Sequence, residues 1–486
     1  MSEVFAEPDL PPPESEPASP RRRSWAWLAW IVILGLGAFM YFGRHEDEDR
    51  AAARDSDVAG LVMKMQGRNL VGAANVFHQK VFNEKTAEAL RHGGVDQRLR
   101  FVVLANELAG SAEALKELDR LDQEMAQYQV QPTADQARLR HLLGRLFEDY
   151  RNGKFTGPSL TPADRTFVRQ HLDWFGDLAL APEGLADQKA RSAVLAPADR
   201  FIIVFILIIL LGAFFGLAGF AGLIVLIVFV FTGKVKGMQT GTGRSGVYAE
   251  TFAVWLILFL GISLAVSRLL HQVSPLPYAG FMLLSLAALG WPVLRGIPWR
   301  QVREDLGLDF GRHPFLEPLI GLGCYAMAIP LVVIGVIATY VLLLMRRNLS
   351  AEAGNPFAPQ EVPSHPIVQS LAHGGWPELL GIIFLASVAA PLIEETMFRG
   401  VLYRHLREAS ARFGPVLSFF ASGILVSFLF AVIHPQGIFA VPVLMALAFG
   451  FTMAREWRGT LVPAMVGHAL NNGILTLLLA AAALGD

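Results

Sequence analysis

Two adjacent glutamates stand inside a long apolar stretch of this sequence. The segment PLIEETMFRG, residues 391–400, follows an apolar run that begins at Leu379, and it contains Glu394 and Glu395. Carboxylates at the edge of a bilayer or inside it are costly and mark functional sites. Arg399 lies four residues after Glu395, which is the spacing of an ion pair along one helix. Adjacent helix positions point about 100° apart, so this pair would leave Glu394 on another face, free for chemistry.

Two histidines and an asparagine occupy the apolar segments that follow. His434 ends the run FLFAVIHP, and Phe430 lies one helical turn before it, where it can pack beside the imidazole ring. His468 and Asn472, in GHALNN, are four residues apart and therefore share one helix face. Each group by itself has a plain structural explanation, as an interfacial charge, a histidine at a helix end or a hydrogen bond between membrane helices.

These groups could complete one another's chemistry if three helices bring them together. A glutamate beside a histidine can polarise a water molecule, because the carboxylate accepts the proton while the imidazole orients the nucleophile. A second histidine and an asparagine can donate to the oxyanion of a tetrahedral intermediate. This set describes a hydrolase of peptide bonds. Two histidines and a carboxylate would also suit zinc, although the zinc-protease signature HExxH is absent from the sequence.

Three short motifs carry a resemblance to a known family. EETMFR from Glu394, FAVIH from Phe430 and HALNN from His468 resemble the EExxxR, FxxxH and HxxxN motifs of the CPBP family. This family includes the CAAX prenyl endopeptidases and is also called the Ras-converting endopeptidase or ABI family. The motifs match in order, spacing and membrane context, and the resemblance covers roughly residues 370 to 485. It implies an intramembrane endopeptidase.

The resemblance also implies a role for each motif residue. Glu394 would be the base that activates water, and His434 would be its partner. His468 and Asn472 would stabilise the oxyanion. Structural support of the site would come from Glu395, Arg399 and Phe430.

The resemblance leaves the cofactor and the substrate open. Family members are often labelled metalloproteases, but a metal-independent glutamate mechanism is also proposed for them. We expect no obligatory metal; the alternative is a divalent ion such as zinc held by Glu394, His434 and His468. Eukaryotic relatives cleave prenylated CAAX proteins, whereas the substrates of bacterial relatives need not be prenylated. The expected substrate is therefore a membrane-associated protein or peptide.

The composition agrees with a membrane protein. Of the 486 residues, 53% are hydrophobic and only 17% are charged, which is well below the charge content of soluble domains. The formal net charge of −1 gives no general attraction for nucleic acid, so none is expected as a partner. Cys324 is the only cysteine, which excludes an internal disulfide.

The predicted fold class is all-α, a polytopic transmembrane helix bundle of about nine spans. An extramembrane helical domain is expected between the first and second spans, where Thr133 and Thr161 predict helix starts. The predicted parts are a disordered tail at 1–20, an N-terminal transmembrane anchor at 21–43, an extramembrane α-helical domain at 44–199, additional transmembrane helices at 200–350 and a CPBP-type protease core at 370–486.

The apolar runs and the loop charges predict how the chain crosses the bilayer. The charge-free run 201–232 is long for one crossing and short for two, and the positive-inside rule favours one. The N-terminus would then be cytoplasmic and residues 44–199 would lie outside, in a bacterial inner membrane. A protein partner for that domain and a simple spacer role are equally good expectations. After the anchor, the predicted spans are 201–232, 249–269, 277–296, 318–345, 377–398, 415–433, 438–454 and 461–483.

These span limits create a problem of depth for the predicted site. With a span that starts near Trp376, Glu394 would lie about 27 Å along it, at 1.5 Å per residue. His434 would lie about as far along the next span, which runs in the opposite direction. Upright helices would keep the two side chains apart. We therefore predict tilted helices, or a seventh span that begins deeper in the membrane and is broken at Pro435 and Gly437.

Two other functions use the same polar groups. In a proton-coupled transporter, Glu394 and the histidines would form a proton relay. In a non-catalytic scaffold, the polar core would only hold the helices together. The presence of all three motifs in the family's order favours the peptidase, since neither alternative requires HxxxN on a span of its own.

Overall fold

The computed structural model contains helices and connecting turns, with no strand among the residues it describes. The predicted tail at 1–20 lies outside those residues. The described residues are 24–42, 48–80, 82–156, 158–234, 237–238, 244–270, 273–349, 354–357 and 375–483.

The first part of the chain is a group of helices that share one hydrophobic core. Thr133 and Thr161 lie at helix starts, as predicted, and each forms a capping box with the residue three positions later, because their hydroxyls accept from the N–H of Gln136 and Asp164. These helices and the one before them are α1 (Ala26–Phe42), α2 (Glu48–Phe77), α3 (Glu84–Leu90), α4 (Val95–Ala109), α5 (Ser111–Gln127), α6 (Ala134–Arg151), α7 (Pro162–Leu172) and α8 (Trp174–Leu180). The helices α2–α8, which we call the helical bundle, pack around their own buried core.

Eight described helices are long and apolar enough to cross a membrane, which makes the chain an integral multi-pass membrane protein. The predicted anchor corresponds to α1, a shorter apolar helix of 17 residues. The eight helices are α9 (Gln188–Phe231), α10 (Ser245–Leu269), α11 (Pro275–Leu294), α13 (Glu317–Leu349), α14 (Trp376–Ala409), α15 (Pro415–Ile433), α16 (Ile438–Arg458) and α17 (Val462–Ala483), and the short α12 (Trp299–Leu306) lies between α11 and α13.

Helix α9 confirms that the run 201–232 belongs to one helix rather than two. It is continuous over 44 residues, a length of about 66 Å. Its beginning, with Leu195 and Ala198, is buried in the core of the helical bundle. Its apolar remainder is mostly exposed on the surface of the protein, which suits contact with lipid.

The N-terminal helix packs on the helices that carry the predicted site. Ala29 and Ile33 of α1 are buried in one core with residues of α10, α14 and α15. The Trp30 indole N–H donates to His405 Nε2 of α14 at 3.0 Å. Although it lies far from the motifs in sequence, α1 is therefore part of the same packed unit.

Helix α14 resolves the predicted problem of depth. The prediction that this span ends near residue 398 is wrong, because the helix continues to Ala409. The next helix starts at Pro415 and runs back. Counted from this common end at 1.5 Å per residue, Glu394 lies about 22 Å and His434 about 28 Å along their helices. The two residues are therefore at similar heights, and the extra turns of α14 account for this.

Candidate active site

A buried ion pair is one structural part of the candidate site. Glu395 and Arg399 have fully buried side chains, and Arg399 Nη1 lies 3.0 Å from Glu395 Oε1, as the spacing of four residues predicts. The other guanidinium nitrogen, Nη2, donates to the carbonyl of Ala448 in α16 at 3.1 Å. Both residues belong to a π-helical segment of α14, Glu395–Leu402, a departure from the α-helix that is frequent at functional sites.

His468 of α17 is attached to this ion pair. Its Nδ1 lies 2.8 Å from Glu395 Oε1, so one carboxylate oxygen contacts both Arg399 and His468. The imidazole ring also stacks on Phe451 of α16, with ring centroids 5.2 Å apart. A hydrogen bond at one edge and an aromatic ring on one face together fix the orientation of this imidazole.

His434 is held at the end of α15 by a different set of contacts. The helix ends at Ile433, and His434 has the extended conformation that a following proline favours. Its Nδ1 lies 2.6 Å from the carbonyl oxygen of Phe430. The Phe430 ring packs beside the imidazole with centroids 4.1 Å apart, which confirms the predicted contact. Gly437 has a φ of 80°, so the predicted interruption near Pro435 and Gly437 is present as the turn between two helices.

Aromatic rings lie next to the buried ion pair of the site. The Arg399 guanidinium carbon lies 4.5 Å from the centroid of the Phe430 ring and 5.6 Å from that of Phe451. Aromatic faces attract a cation most strongly when water is excluded. Phe430 therefore contacts both His434 and Arg399 and connects the two halves of the site.

Glu394 lies where these groups converge. Its Oε2 atom is 3.6 Å from His434 Nε2 and 3.8 Å from His468 Nε2. The side chain of Glu394 is 23% exposed, whereas that of Glu395 is fully buried. The two adjacent glutamates therefore face different surroundings, as their angular separation on the helix predicts. Among the described residues, the buried Oε2 atom of Glu394 has no hydrogen-bond partner.

The hydrogen bonds of the two imidazoles define which nitrogen faces Glu394. A backbone carbonyl can only accept, so Nδ1 of His434 carries a hydrogen and donates it to Phe430. The ionised carboxylate of Glu395 likewise accepts from Nδ1 of His468. In their neutral forms, both rings consequently direct the lone pair of Nε2 towards Glu394.

Asn472 is oriented one turn after His468 on α17. Its Nδ2 donates to the carbonyl of Ala386 in α14 at 2.8 Å, and its Oδ1 accepts from Nδ2 of Asn471 at 3.1 Å. The Tyr325 hydroxyl of α13 lies 3.4 Å from Asn471 Oδ1. The hydrogen bonds of Asn472 thus go to Ala386 and Asn471, rather than to the three residues that converge at Glu394.

Sequence reasoning missed the residues that support the predicted ones. Asn471 is adjacent to Asn472 in the HALNN motif, and this doublet was the available signal. Ala386, which accepts through its backbone, and Phe451, which supplies a ring face, carry no recognisable pattern in sequence. Their contributions depend on helix packing alone.

Among the described residues, no group of three or more His, Cys, Asp or Glu side chains is arranged to hold a metal ion.

Comparison with known proteins identifies the segment that contains this site. Residues 376–474, about a fifth of the chain, match the family model described as type II CAAX prenyl endopeptidase Rce1-like. The matched residues include Glu394, His434, His468 and Asn472, and the resemblance predicted from the motifs is confirmed over this segment. No curated protein and no solved structure matches the chain.

Proposed function

Since residues 376–474 form a domain of the Rce1-like type II CAAX prenyl endopeptidase family, a family of hydrolases, we propose that Glu394 activates water for peptide-bond hydrolysis. The protein would be an intramembrane endopeptidase that cleaves a membrane-associated protein or peptide. The observation that carries this proposal is the convergence of Glu394 Oε2 with the Nε2 atoms of His434 and His468.

The first step uses Glu394 and His434. Their separation of 3.6 Å exceeds a direct hydrogen bond, and a water molecule that donates to both would satisfy the Oε2 and Nε2 acceptors. Such a water keeps a lone pair for attack on the carbonyl carbon of the substrate. As the oxygen–carbon bond forms, one proton of the water passes to Glu394.

The oxyanion of the tetrahedral intermediate needs hydrogen-bond donors. Glu395 holds Nδ1 of His468 at 2.8 Å, which directs Nε2 of this ring into the site, and a hydrogen carried on Nε2 would donate to the oxyanion. Asn472 donates only one amide hydrogen to Ala386, so its second can serve the same oxyanion. When the carbon–nitrogen bond breaks, Glu394 returns its proton to the leaving amine, and the carboxylate is restored.

The surroundings of the site support a substrate that reaches it from the membrane. Val388 and Leu392, which precede Glu394 on α14, are each 40% exposed, and such an apolar surface suits a lipid-anchored or hydrophobic peptide. Domains of this family act on proteins. Cleavage of a protein close to a lipid anchor, either a prenyl group or another lipid, would fit both the apolar surface and the protein substrates of the family.

We extend the proposal to the arrangement of the chain. The helical bundle would be an extramembrane domain outside a bacterial inner membrane, with the N-terminus cytoplasmic. Its position between the apolar helices α1 and α9 and its separate core support this arrangement. A bundle of this kind could bind a protein partner or the soluble part of a substrate.

A cleavage assay in proteoliposomes tests the catalytic role of Glu394. The probes are an internally quenched peptide that ends in a farnesylated CAAX sequence and its unprenylated twin. We expect Glu394→Gln to reduce the cleavage rate about 10³-fold or more with an unchanged melting temperature, because the amide cannot accept the proton. Glu378→Gln is the matched control on the same helix, since Glu378 accepts from the N–H of Gly375 at the helix start, far from Glu394 in sequence, and it should retain activity.

Three results would redirect the proposal. Full cleavage by Glu394→Gln would remove the glutamate mechanism. A proton-driven flux that disappears in the same variant would support a transporter instead. Cleavage that a chelator abolishes and zinc restores would give the metal a part; we expect a chelator to leave the rate unchanged.

A further inference from the structure

Helix α14 contains a second irregular segment, before Glu394. Residues Leu385–Ala389 are π-helical, and the N–H of Ala390 donates to the carbonyl of Leu385. In a regular α-helix this N–H would donate to Ala386 instead. The irregularity therefore removes the donor that the Ala386 carbonyl would normally have.

The next residue along the helix is Pro391, which has no N–H. Continuation of the π-helical pattern would pair the N–H of residue 391 with the carbonyl of Ala386. Proline makes this pairing impossible. The Ala386 carbonyl accepts from Asn472 Nδ2 at 2.8 Å, so a side chain of α17 takes the place of the missing backbone donor.

Proline inside a helix is otherwise unfavourable, so its place three residues before Glu394 needs a compensating role. Asn472 is bound on both sides of its amide, because Oδ1 accepts from Asn471 and one hydrogen of Nδ2 goes to Ala386. These two contacts fix the plane of the amide. They also fix the direction of the second Nδ2 hydrogen, which the proposed mechanism uses.

The geometry points to Pro391 as a positioning residue for Asn472. Together with the π-helical segment, it keeps the Ala386 carbonyl free of helix donors, so that this carbonyl can orient the Asn472 amide. The catalytic meaning of the inference rests on the proposed function. The replacement of the helix donor by the Asn472 amide is a property of the fold, and its effect on stability can be measured without any assay of cleavage.

Thermal unfolding of the purified protein in detergent tests whether the Asn472 amide replaces the missing backbone donor to the Ala386 carbonyl. Asn472→Ala leaves the Ala386 carbonyl without a donor, and we expect the melting temperature to fall by about 2 °C. In a Pro391→Ala background, the restored N–H of residue 391 can bond to the Ala386 carbonyl along the helix. The same Asn472→Ala change should then lower the melting temperature by clearly less. Equal losses in the two backgrounds would overturn the inference, whatever the enzyme does.

Kinetics test the consequence for the reaction. With the farnesylated peptide, Pro391→Ala should lower kcat about 10-fold to 100-fold with little change in KM, because it disturbs one oxyanion donor. It should not lower the melting temperature, since alanine is the better helix former. In an Asn472→Ala background, Pro391→Ala should cause no further loss of kcat.

Pro377→Ala is the matched control, because Pro377 is exposed in the first turn of the same helix. It should leave kcat unchanged. A Pro391→Ala enzyme with normal kcat, alongside an inactive Glu394→Gln enzyme, would refute the positioning role and leave the proposed function intact. A Glu394→Gln enzyme of normal activity would refute the proposed function. The unfolding experiment would still show whether Asn472 replaces the backbone donor that Pro391 lacks.

Discussion

The helical bundle and the candidate active site both bury charged side chains, but they satisfy them in different ways. Where the start of α9 packs on the helical bundle, Arg191 contacts both oxygens of Glu107 in α4, at 2.6 and 3.3 Å, and also donates to the carbonyl of Ala181. In the site, Glu395 Oε1 binds Arg399 and His468 at 3.0 and 2.8 Å, whereas Oε2 of the adjacent Glu394 lies 3.6 and 3.8 Å from the Nε2 atoms of His434 and His468, beyond the distance of a direct hydrogen bond.

This difference separates a paired charge from an available one. The Glu395 carboxylate is fully buried and has an arginine partner, so removal of that partner is strongly destabilising. The Glu394 side chain is 23% exposed and makes no direct hydrogen bond to the imidazoles near it, which suits a group that binds a water molecule or a substrate. Equivalent changes in the two regions should therefore have different consequences, and they provide a direct way to test the comparison.

The largest effect is expected at Arg399. Arg399→Met removes the arginine partner of the buried Glu395 carboxylate and leaves it only the hydrogen bond from His468, and removal of one partner of a buried pair costs about 3–5 kcal/mol. We expect a large fall in the melting temperature and loss of peptide cleavage. The measurements are thermal unfolding in detergent and the proteoliposome cleavage assay.

The double variant Glu395→Leu with Arg399→Met sharpens this result. Apolar replacement of a whole buried pair is often neutral, but His468 Nδ1 then loses its acceptor, so stability should recover only in part. Cleavage should remain lost because His468 is no longer oriented. A fully active double variant would show that this ion pair has no part in the chemistry.

A matched change at the pair that joins α9 to the helical bundle, Arg191 with Glu107, should give a smaller effect. Arg191→Met should destabilise the protein by about 3 kcal/mol, and Glu107→Leu in the same chain should restore most of the loss. Both variants should cleave peptide at the normal rate while folded. If cleavage falls in the double variant while the melting temperature is normal, the bundle contributes to the reaction and the comparison fails.

The sequence was most informative where chemistry and periodicity coincide. The spacing of four residues predicted the Glu395–Arg399 pair, and the three motifs predicted which helices carry the site. The end of α14 was missed because charged residues after Arg399 look like a loop, whereas in the structure Arg407 pairs with Glu456 and stays in a helix. A carbonyl such as that of Ala386 acts through a backbone irregularity, which no side-chain pattern records.

The smallest effect is expected at Asp149 in the helical bundle, whose hydrogen-bonding capacity is also met locally. The hydroxyl and the N–H of Ser159 donate to its Oδ2 and hold the pKa of Asp149 below its ordinary value. A carboxyl group with a lowered folded-state pKa contributes stability above its unfolded pKa and loses it as the pH falls through the folded pKa. Ser159→Ala should therefore lower the melting temperature by about 2 °C at neutral pH.

The difference in melting temperature between wild type and Ser159→Ala should shrink as the pH falls through the folded pKa of Asp149. The reason is that a protonated Asp149 gains less from the hydrogen bond of the Ser159 hydroxyl, so its removal matters less. Melting curves at a series of pH values measure this directly. A difference that stays constant down to acidic pH would mean that the Ser159 hydroxyl acts by packing alone. Cleavage at neutral pH should be normal, since this carboxylate, unlike Glu394, already has its partners.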